Sequence, residues 1–148
     1  MRVEAGLYQD MAALEIAHKV HEHPAVFTVE ESRSIMADVQ CLHTKNLFLK
    51  DAKGAFFLLT VPAEARVDLK SVPQVIGSKR LSFGKAEDMV RLIGVEPGSV
   101  TPLGMINAVS GSIALVLDAE LAVGEPVGVH PLRNTATVTL YGLSLIHI

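Results

Sequence analysis

Leu47-Phe48-Leu49-Lys50-Asp51-Ala52-Lys53-Gly54-Ala55-Phe56-Phe57-Leu58-Leu59-Thr60-Val61 is the stretch that decides the fold. Two runs of bulky apolar residues flank Asp51–Gly54, and a short glycine-containing connector between such runs is a hairpin signal. Upstream, Leu7, Met11 and Leu14 recur at helical spacing, which predicts an amphipathic helix from Glu4 to about Ala17. His18 to Val26 then reads as extended or loop, because Pro24 prevents helix continuation. Val29 to Met36 allows a second short helix, with Thr28 as N-cap and Glu31 completing a capping box.

Downstream, Asp68 to Ile76 has helical character interrupted at Pro73. Lys85 to Ile93 is a better helix, with Ala86, Met89, Val90 and Ile93 on one face to pack on the sheet and Gly94 placed to end it. Met105–Val109, Ser112–Leu117 and Ala136–Leu140 read as strands, separated by a Ser110-Gly111 turn and a Gly/Pro-rich stretch from Gly124 to Pro131. Helices and strands interleave irregularly and several neighbouring strands look hairpin-connected. The expected fold is therefore mixed α/β (α+β): a largely antiparallel β-sheet or barrel flanked by helices.

The chain has 148 residues, 49% of them apolar, enough for one domain to bury a core without disulfides or a structural metal. Its single cysteine, Cys41, excludes an internal disulfide framework and fits a reducing cytoplasm. No stretch has the length and apolarity of a membrane span, so no membrane partner is expected. A formal charge of −3 argues against a sequence-independent nucleic-acid binder. Any RNA contact must be local, and Lys50, Lys79, Arg80 and Lys85 supply local positive charge.

Taken one at a time, the candidate functional residues say little. Lys45 before an apolar strand is ordinarily a solvated lysine. Gly98-Ser99-Val100-Thr101-Pro102 after Pro97 is ordinarily a loop, its glycine permitting unusual backbone angles and its proline fixing the exit. His130, within Gly128-Val129-His130-Pro131, exchanges a proton near neutral pH, yet it is one of six histidines, most of them incidental. His21-Glu22-His23 contains metal-ligating types, but no other cluster in the sequence supplies convergent ligands, so no metal and no cofactor are expected. Cys41 as a thiol nucleophile has no supporting pattern and reads as a bystander.

Taken together, these elements resemble a family. His43-Thr44-Lys45-Asn46-Leu47-Phe48-Leu49-Lys50-Asp51, Gly98 to Pro102, and Val129-His130-Pro131 ahead of Asn134-Thr135-Ala136-Thr137 are similar to the free-standing prolyl-tRNA editing domains, over about His23 to Leu140. The resemblance implies a deacylase that removes a wrongly attached amino acid from proline tRNA. It also implies roles: Lys45 as an electrostatic anchor for the terminal phosphate, Asn46 on the ribose or substrate amine, Gly98, Ser99, Val100, Thr101, Pro102 and Asn134 lining the aminoacyl pocket, and His130 positioning water or the carbonyl. Lys50, Lys79 and Arg80 fall where relatives contact tRNA.

Positions 1–140 are expected to form a single editing domain whose partners are the tRNA 3′ end and acceptor stem, with prolyl-tRNA synthetase or an elongation factor as transient partners. An activated ester asks for positioning more than for a strong nucleophile. The sequence agrees, having no Gly-x-Ser-x-Gly elbow and no paired carboxylates at a recognisable spacing. The closest strings look like the alanine-directed branch. Removal of cysteine, and a silent tRNA- or protein-binding module, stay open. Residues 141–148 read as an atypical tail, truncated or frame-shifted where similar proteins continue into a closing helix, and an uncovered apolar surface is expected there.

Overall fold

The computed structural model describes residues 4–25, 33–34, 39–122 and 124–147. Of the short helix expected over Val29–Met36, only Arg33 and Ser34 are among the described residues, and both are helical; the rest lies outside them.

Its sheet is built on the hairpin. Strands β2 (Leu42–Asp51) and β3 (Phe56–Pro62) pair antiparallel in unbroken register from Thr44↔Pro62 to Lys50↔Phe56. The Asp51 carboxylate closes the turn by accepting from the Lys53 and Ala55 amides at 3.0 and 2.9 Å. The other strands are β1 (His18–Glu22), β4 (Leu81–Phe83), β5 (Ala114–Leu117), β6 (Pro126–Val129) and β7 (Ala136–Tyr141). They form one open sheet in the order β1-β7-β6-β2-β3-β5, with β4 on the free side of β2. Only β2–β6 and β3–β5 are parallel, so the sheet is mixed and largely antiparallel, and an open path rather than a barrel.

Helix α1 (Glu4–Ala13) buries Leu7 and Met11 completely but stops short of Ala17, because Glu15 turns into the left-handed region at φ 57°. Leu14 is consequently half exposed. Helix α2 (Val72–Ile76) is a short helix that carries Pro73 in its first turn instead of breaking there, which suits a residue without an amide proton. Helix α3 (Ala86–Ile93) ends at Gly94, in the left-handed conformation at φ 68°. Its inward face is Met89, Leu92 and Ile93, packed with Phe48 and Leu58 of the hairpin; Ala86 and Val90 are exposed, contrary to the sequence reading.

Two further expectations are corrected. Met105–Val109 is not a strand: Pro102–Asn107 is a 3-10 helix, started by Pro102 and by the Thr101 hydroxyl accepting from the Leu103 amide at 3.2 Å. The turn packs tightly, a Cβ on Gly104 lying 3.1 Å from that of Ile93. Within the supposed Gly124–Pro131 connector, Pro126–Val129 is a central strand, made possible because Val127 and Val129 both face the core. At the C-terminal end a 3-10 helix over Gly142–His147 buries Leu145, while Leu143 and Ile146 are exposed.

Candidate functional site

Two of the candidate residues, Lys45 and His130, lie just beyond the end of the parallel β2–β6 ladder. Its last pair is His43↔Gly128, and the Thr44 hydroxyl donates to the Gly128 carbonyl at 2.7 Å. Lys45 and His130 each stand two residues beyond that pair, Lys45 on β2 and His130 just past the end of β6, so the parallel register sets both at one level of the sheet.

Strand alternation sends Lys45 and Asn46 to opposite faces of β2. Lys45 shares its face with His43, Leu47 and Leu49, and its ammonium donates to the Ala65 carbonyl. On the same face a cavity of about 330 Å³ is lined by Cys41, His43, Pro62, Ala63 and Glu64. Asn46 faces the other way, opposite Thr60. It accepts from the Thr60 hydroxyl at 2.6 Å and donates to the Val100 carbonyl at 3.2 Å. Asn46 thus grips the Gly98–Pro102 loop.

The loop is fixed from several sides. Gly98 takes φ 92°, a conformation that favours glycine, and Ser99 donates to the Glu96 carbonyl at 3.0 Å. Thr101 and Pro102 are buried. A Cβ on Gly98 would lie 3.7 Å from Nδ2 of Asn134, so the loop abuts the segment after His130. That segment is braced by Arg133, whose guanidinium donates to Glu4 of α1 at 2.6 and 2.9 Å and to Glu22 of β1 at 2.9 and 2.7 Å. Asn46, Gly98–Pro102 and Asn134 therefore form one continuous group.

His130 is half buried. Its Nδ1 lies 3.1 Å from the Ala136 carbonyl, which can only accept, so Nδ1 carries the proton and the neutral ring presents a lone pair at Nε2. Burial lowers its pKa, the Ala136 bond raises it, and the nearby His23 lowers it again. His23 is held by its own bond to the Thr137 hydroxyl at 2.8 Å.

Lys50, Lys79 and Arg80 do not share this centre. Lys50 is five positions along β2 from Lys45, roughly 17 Å at about 3.4 Å per residue. The Lys79 backbone amide donates to Asp51 at 3.2 Å, and Arg80 immediately precedes β4. These cations occupy the far end of the hairpin.

Cys41 lies near the His43 ring, with Sγ 3.7 Å from Nε2, but burial pushes its thiol up to about 11, leaving it protonated at neutral pH. His21, Glu22 and His23 do not converge: His21 lies 3.4 Å from the Thr139 hydroxyl, Glu22 is taken by Arg133, and His23 by Thr137. Among the described residues no three metal-ligating side chains gather. Gly128 is tightly enclosed, since a Cβ there would lie 2.7 Å from Cys41 Sγ and 3.0 Å from Thr137 Cγ2. Gly128→Ala is expected to cost about 1–3 kcal/mol of stability through overpacking. Cys41→Ala in the same chain should restore most of it; purely additive losses on denaturant melting would contradict this.

Comparison with known proteins decides the family. Residues 23–148 match the model of the aminoacyl-tRNA editing domain. The chain belongs to this family. It is 35% identical over 141 residues to the prolyl-tRNA editing protein ProX of Acetoanaerobium sticklandii, spanning 95% of this chain and 86% of that protein. It is 37% identical over 143 residues to prolyl-tRNA synthetase associated domain-containing protein 1 of Bos taurus, spanning 93% and 83%. A crystal structure described as a candidate trans-editing enzyme for prolyl tRNA synthetase superposes with a TM-score of 0.72 at 22% identity, covering 99% of this chain and 91% of that one, which shows a shared fold. As an editing-domain protein the chain is a hydrolase of the aminoacyl-tRNA deacylase class.

Sequence reasoning missed the partners that hold the site: Thr60 behind Asn46, the Ala65 carbonyl under Lys45, and Arg133 behind Asn134. Counting outward from the hairpin turn would have placed Thr60 opposite Asn46. The other two depend on long-range packing that leaves no local signal.

Proposed function

We propose that this editing domain acts in trans to hydrolyse alanine wrongly esterified to proline tRNA. The observation that supports the reading is the β2–β6 register, which sets Lys45 and His130 at one level of the sheet, while Asn46 on the other face of β2 anchors the Gly98–Pro102 loop. The name of the ProX relative supports tRNA(Pro) as the carrier. In this reading the Lys45 ammonium holds the terminal phosphate and the Gly98–Pro102 loop and Asn134 seat the aminoacyl group. The neutral His130 Nε2 accepts a hydrogen bond from the attacking water, helped by the neighbouring ribose hydroxyl. Water adds to the ester carbonyl, the ribose oxygen departs with a proton, and free amino acid and tRNA result.

A synthetase site shaped for proline cannot strongly reject a smaller side chain by binding alone, so a second site that admits only small residues supplies the missing discrimination. A loop held by buried Thr101, Pro102 and the Asn46 bond suits such a filter because it cannot easily move aside. The test is hydrolysis of alanyl-, cysteinyl- and prolyl-tRNA(Pro) side by side. Selective loss of alanine is the expected result. Preference for cysteine would reassign the substrate, and no release from any of them by folded protein would favour a binding module.

The lowered pKa of His130 fixes the sign of a pH prediction. A neutral His130 is required, and burial keeps it neutral below the ordinary value of 6.5. Deacylation corrected for spontaneous hydrolysis should therefore be flat from about pH 6.5 upward. It should fall only as acid protonates His130, and His130→Asn should remove that acid limb. An acid limb centred above 6.5 in the kcat/KM profile would contradict the assignment.

A further inference from the structure

Beside His130, strands β1 and β7 carry a row of imidazole and hydroxyl groups on the sheet face turned away from the α1 core. Val138 and Leu140 of β7 are buried in that core, so alternation turns Thr137 and Thr139 to the opposite face. Gly128 of β6 faces the same way, because a Cβ there would lie 3.0 Å from Thr137 Cγ2. The antiparallel register pairs Val129 with Val138, and its next steps set His130 opposite Thr137 and Pro131 opposite Ala136. Pro131 has no amide proton to give the Ala136 carbonyl; the His130 ring supplies one instead, with Nδ1 at 3.1 Å. His130 is thereby held against the strand that carries Thr137, with Nε2 left as an acceptor.

On the other side of β7 stands His23, whose backbone amide donates to the Thr135 carbonyl at 2.9 Å. Its Nδ1 lies 2.9 Å from the Pro24 carbonyl, and its Nε2 lies 2.8 Å from the Thr137 hydroxyl. A carbonyl only accepts, so the ring proton is on Nδ1 and Nε2 accepts from Thr137. The hydroxyl proton of Thr137 is thus committed to His23, and its oxygen turns only lone pairs to its surroundings. His21, across from Thr137 on β1, is directed elsewhere, with Nε2 3.4 Å from the Thr139 hydroxyl. Thr137 is 7% exposed, so bulk solvent does not surround that oxygen.

We propose that Thr137 is a further catalytic residue, which with His130 takes the two protons of the attacking water, and that His23 is the positioning residue that fixes its hydroxyl. The proposal deepens the editing reaction above and rests on it. Opposite residues on one face of an antiparallel pair have Cβ atoms about 4.5–5.5 Å apart. One water bonded at about 2.8 Å to each of two acceptors spans that gap. With one O–H on Thr137 and the other on His130 Nε2, the water directs a lone pair toward the ester carbon. Its oxygen bonds to that carbon, the proton on the His130 side passes through Nε2 to the ribose oxygen, and the bond between carbon and ribose oxygen breaks. The second water proton leaves with the freed carboxyl group. A Thr137 hydroxyl free to rotate would turn its own proton toward the water and lose this orientation.

The experiment measures steady-state and single-turnover deacylation of alanyl-tRNA(Pro) by Thr137→Val, Thr137→Ser, His23→Phe and the double variant of His23→Phe with Thr137→Val, beside melting curves. Thr137→Val keeps the β-branched shape and should lower kcat and kcat/KM alike by about tenfold, the scale of one hydrogen bond made in the transition state, with KM unchanged. Thr137→Ser keeps the hydroxyl and should recover most of the rate, which a merely structural role would not predict. His23→Phe should lower kcat several-fold by itself and no further in the Thr137→Val background, since it acts through that hydroxyl. Parental kcat in Thr137→Val, or losses that simply add in the double variant, would overturn the assignment. Nitrogen NMR spectra of the histidine rings give a readout that needs no activity: His23 protonated at Nδ1 is expected, and a neutral ring protonated at Nε2 would overturn it too. Absence of deacylation by the folded parent would overturn the editing function and this assignment together, whereas the other failures leave editing intact.

Discussion

Lys45→Ala is expected to lower deacylation on the order of 100- to 1000-fold, the scale of losing one oriented electrostatic contact at a reacting centre, while the protein stays folded. The side chain is half buried, and its ammonium is aimed by the Ala65 carbonyl in the segment after β3. That bond contributes about 1 kcal/mol to stability. Its greater importance is orientation, since a lysine swinging freely from a strand would lose rotamer entropy on gripping a phosphate. Lys45→Arg keeps the charge but exchanges a compact ammonium for a wide planar fork that cannot occupy the same position against Ala65. It should retain tRNA binding better than Lys45→Ala and still lose most of the rate. Chemical-quench rates beside melting curves check the pair. A folded Lys45→Ala protein with parental activity would remove Lys45 from the site.

Asn46→Ala should bring the second-largest loss, through positioning. The Asn46 amide accepts from the Thr60 hydroxyl, which is fully buried, and donates to the Val100 carbonyl in the substrate loop. Truncation leaves the Thr60 hydroxyl without its acceptor, at about 1–3 kcal/mol. It also releases the loop, and a displacement near 1 Å costs roughly 100-fold in rate. Asn46→Asp separates the two effects: it preserves an acceptor for Thr60 but sets a carboxylate against the Val100 carbonyl. Its activity should fall with that of Asn46→Ala. Thr60→Val, which leaves the Val100 bond in place, should lose far less. Equal losses in the Asn46 and Thr60 variants would assign Asn46 to general stability instead of to the loop.

The hairpin was legible because both its strands are long, apolar and joined by turn residues that allow one geometry. The end of α3 was legible because Gly94 takes a left-handed conformation that other residues resist. Strand β6 was hidden by its composition: Pro126 and Gly128 look like loop residues, yet Pro126 begins the strand and Gly128 is required by the close approach of Cys41 and Thr137. Met105–Val109 carried the apolar content of a strand but sits behind Pro102 and a Thr101 cap, which set a 3-10 turn first.

The candidate site was legible as a set of residues and not as an arrangement. Lys45 and Asn46 are neighbours in sequence, yet alternation along β2 gives them different surroundings and separate tasks. His130 reaches the level of Lys45 only through the parallel pairing of two strands more than eighty residues apart, a register no local pattern encodes.

The most direct test of the central claim is single-turnover decay of alanyl-tRNA(Pro) with the protein in excess. The geometry at the end of the β2–β6 ladder predicts a first-order loss of alanine far faster than spontaneous hydrolysis and returning close to the spontaneous rate in Lys45→Ala. Decay at the spontaneous rate with the folded parent protein would contradict it.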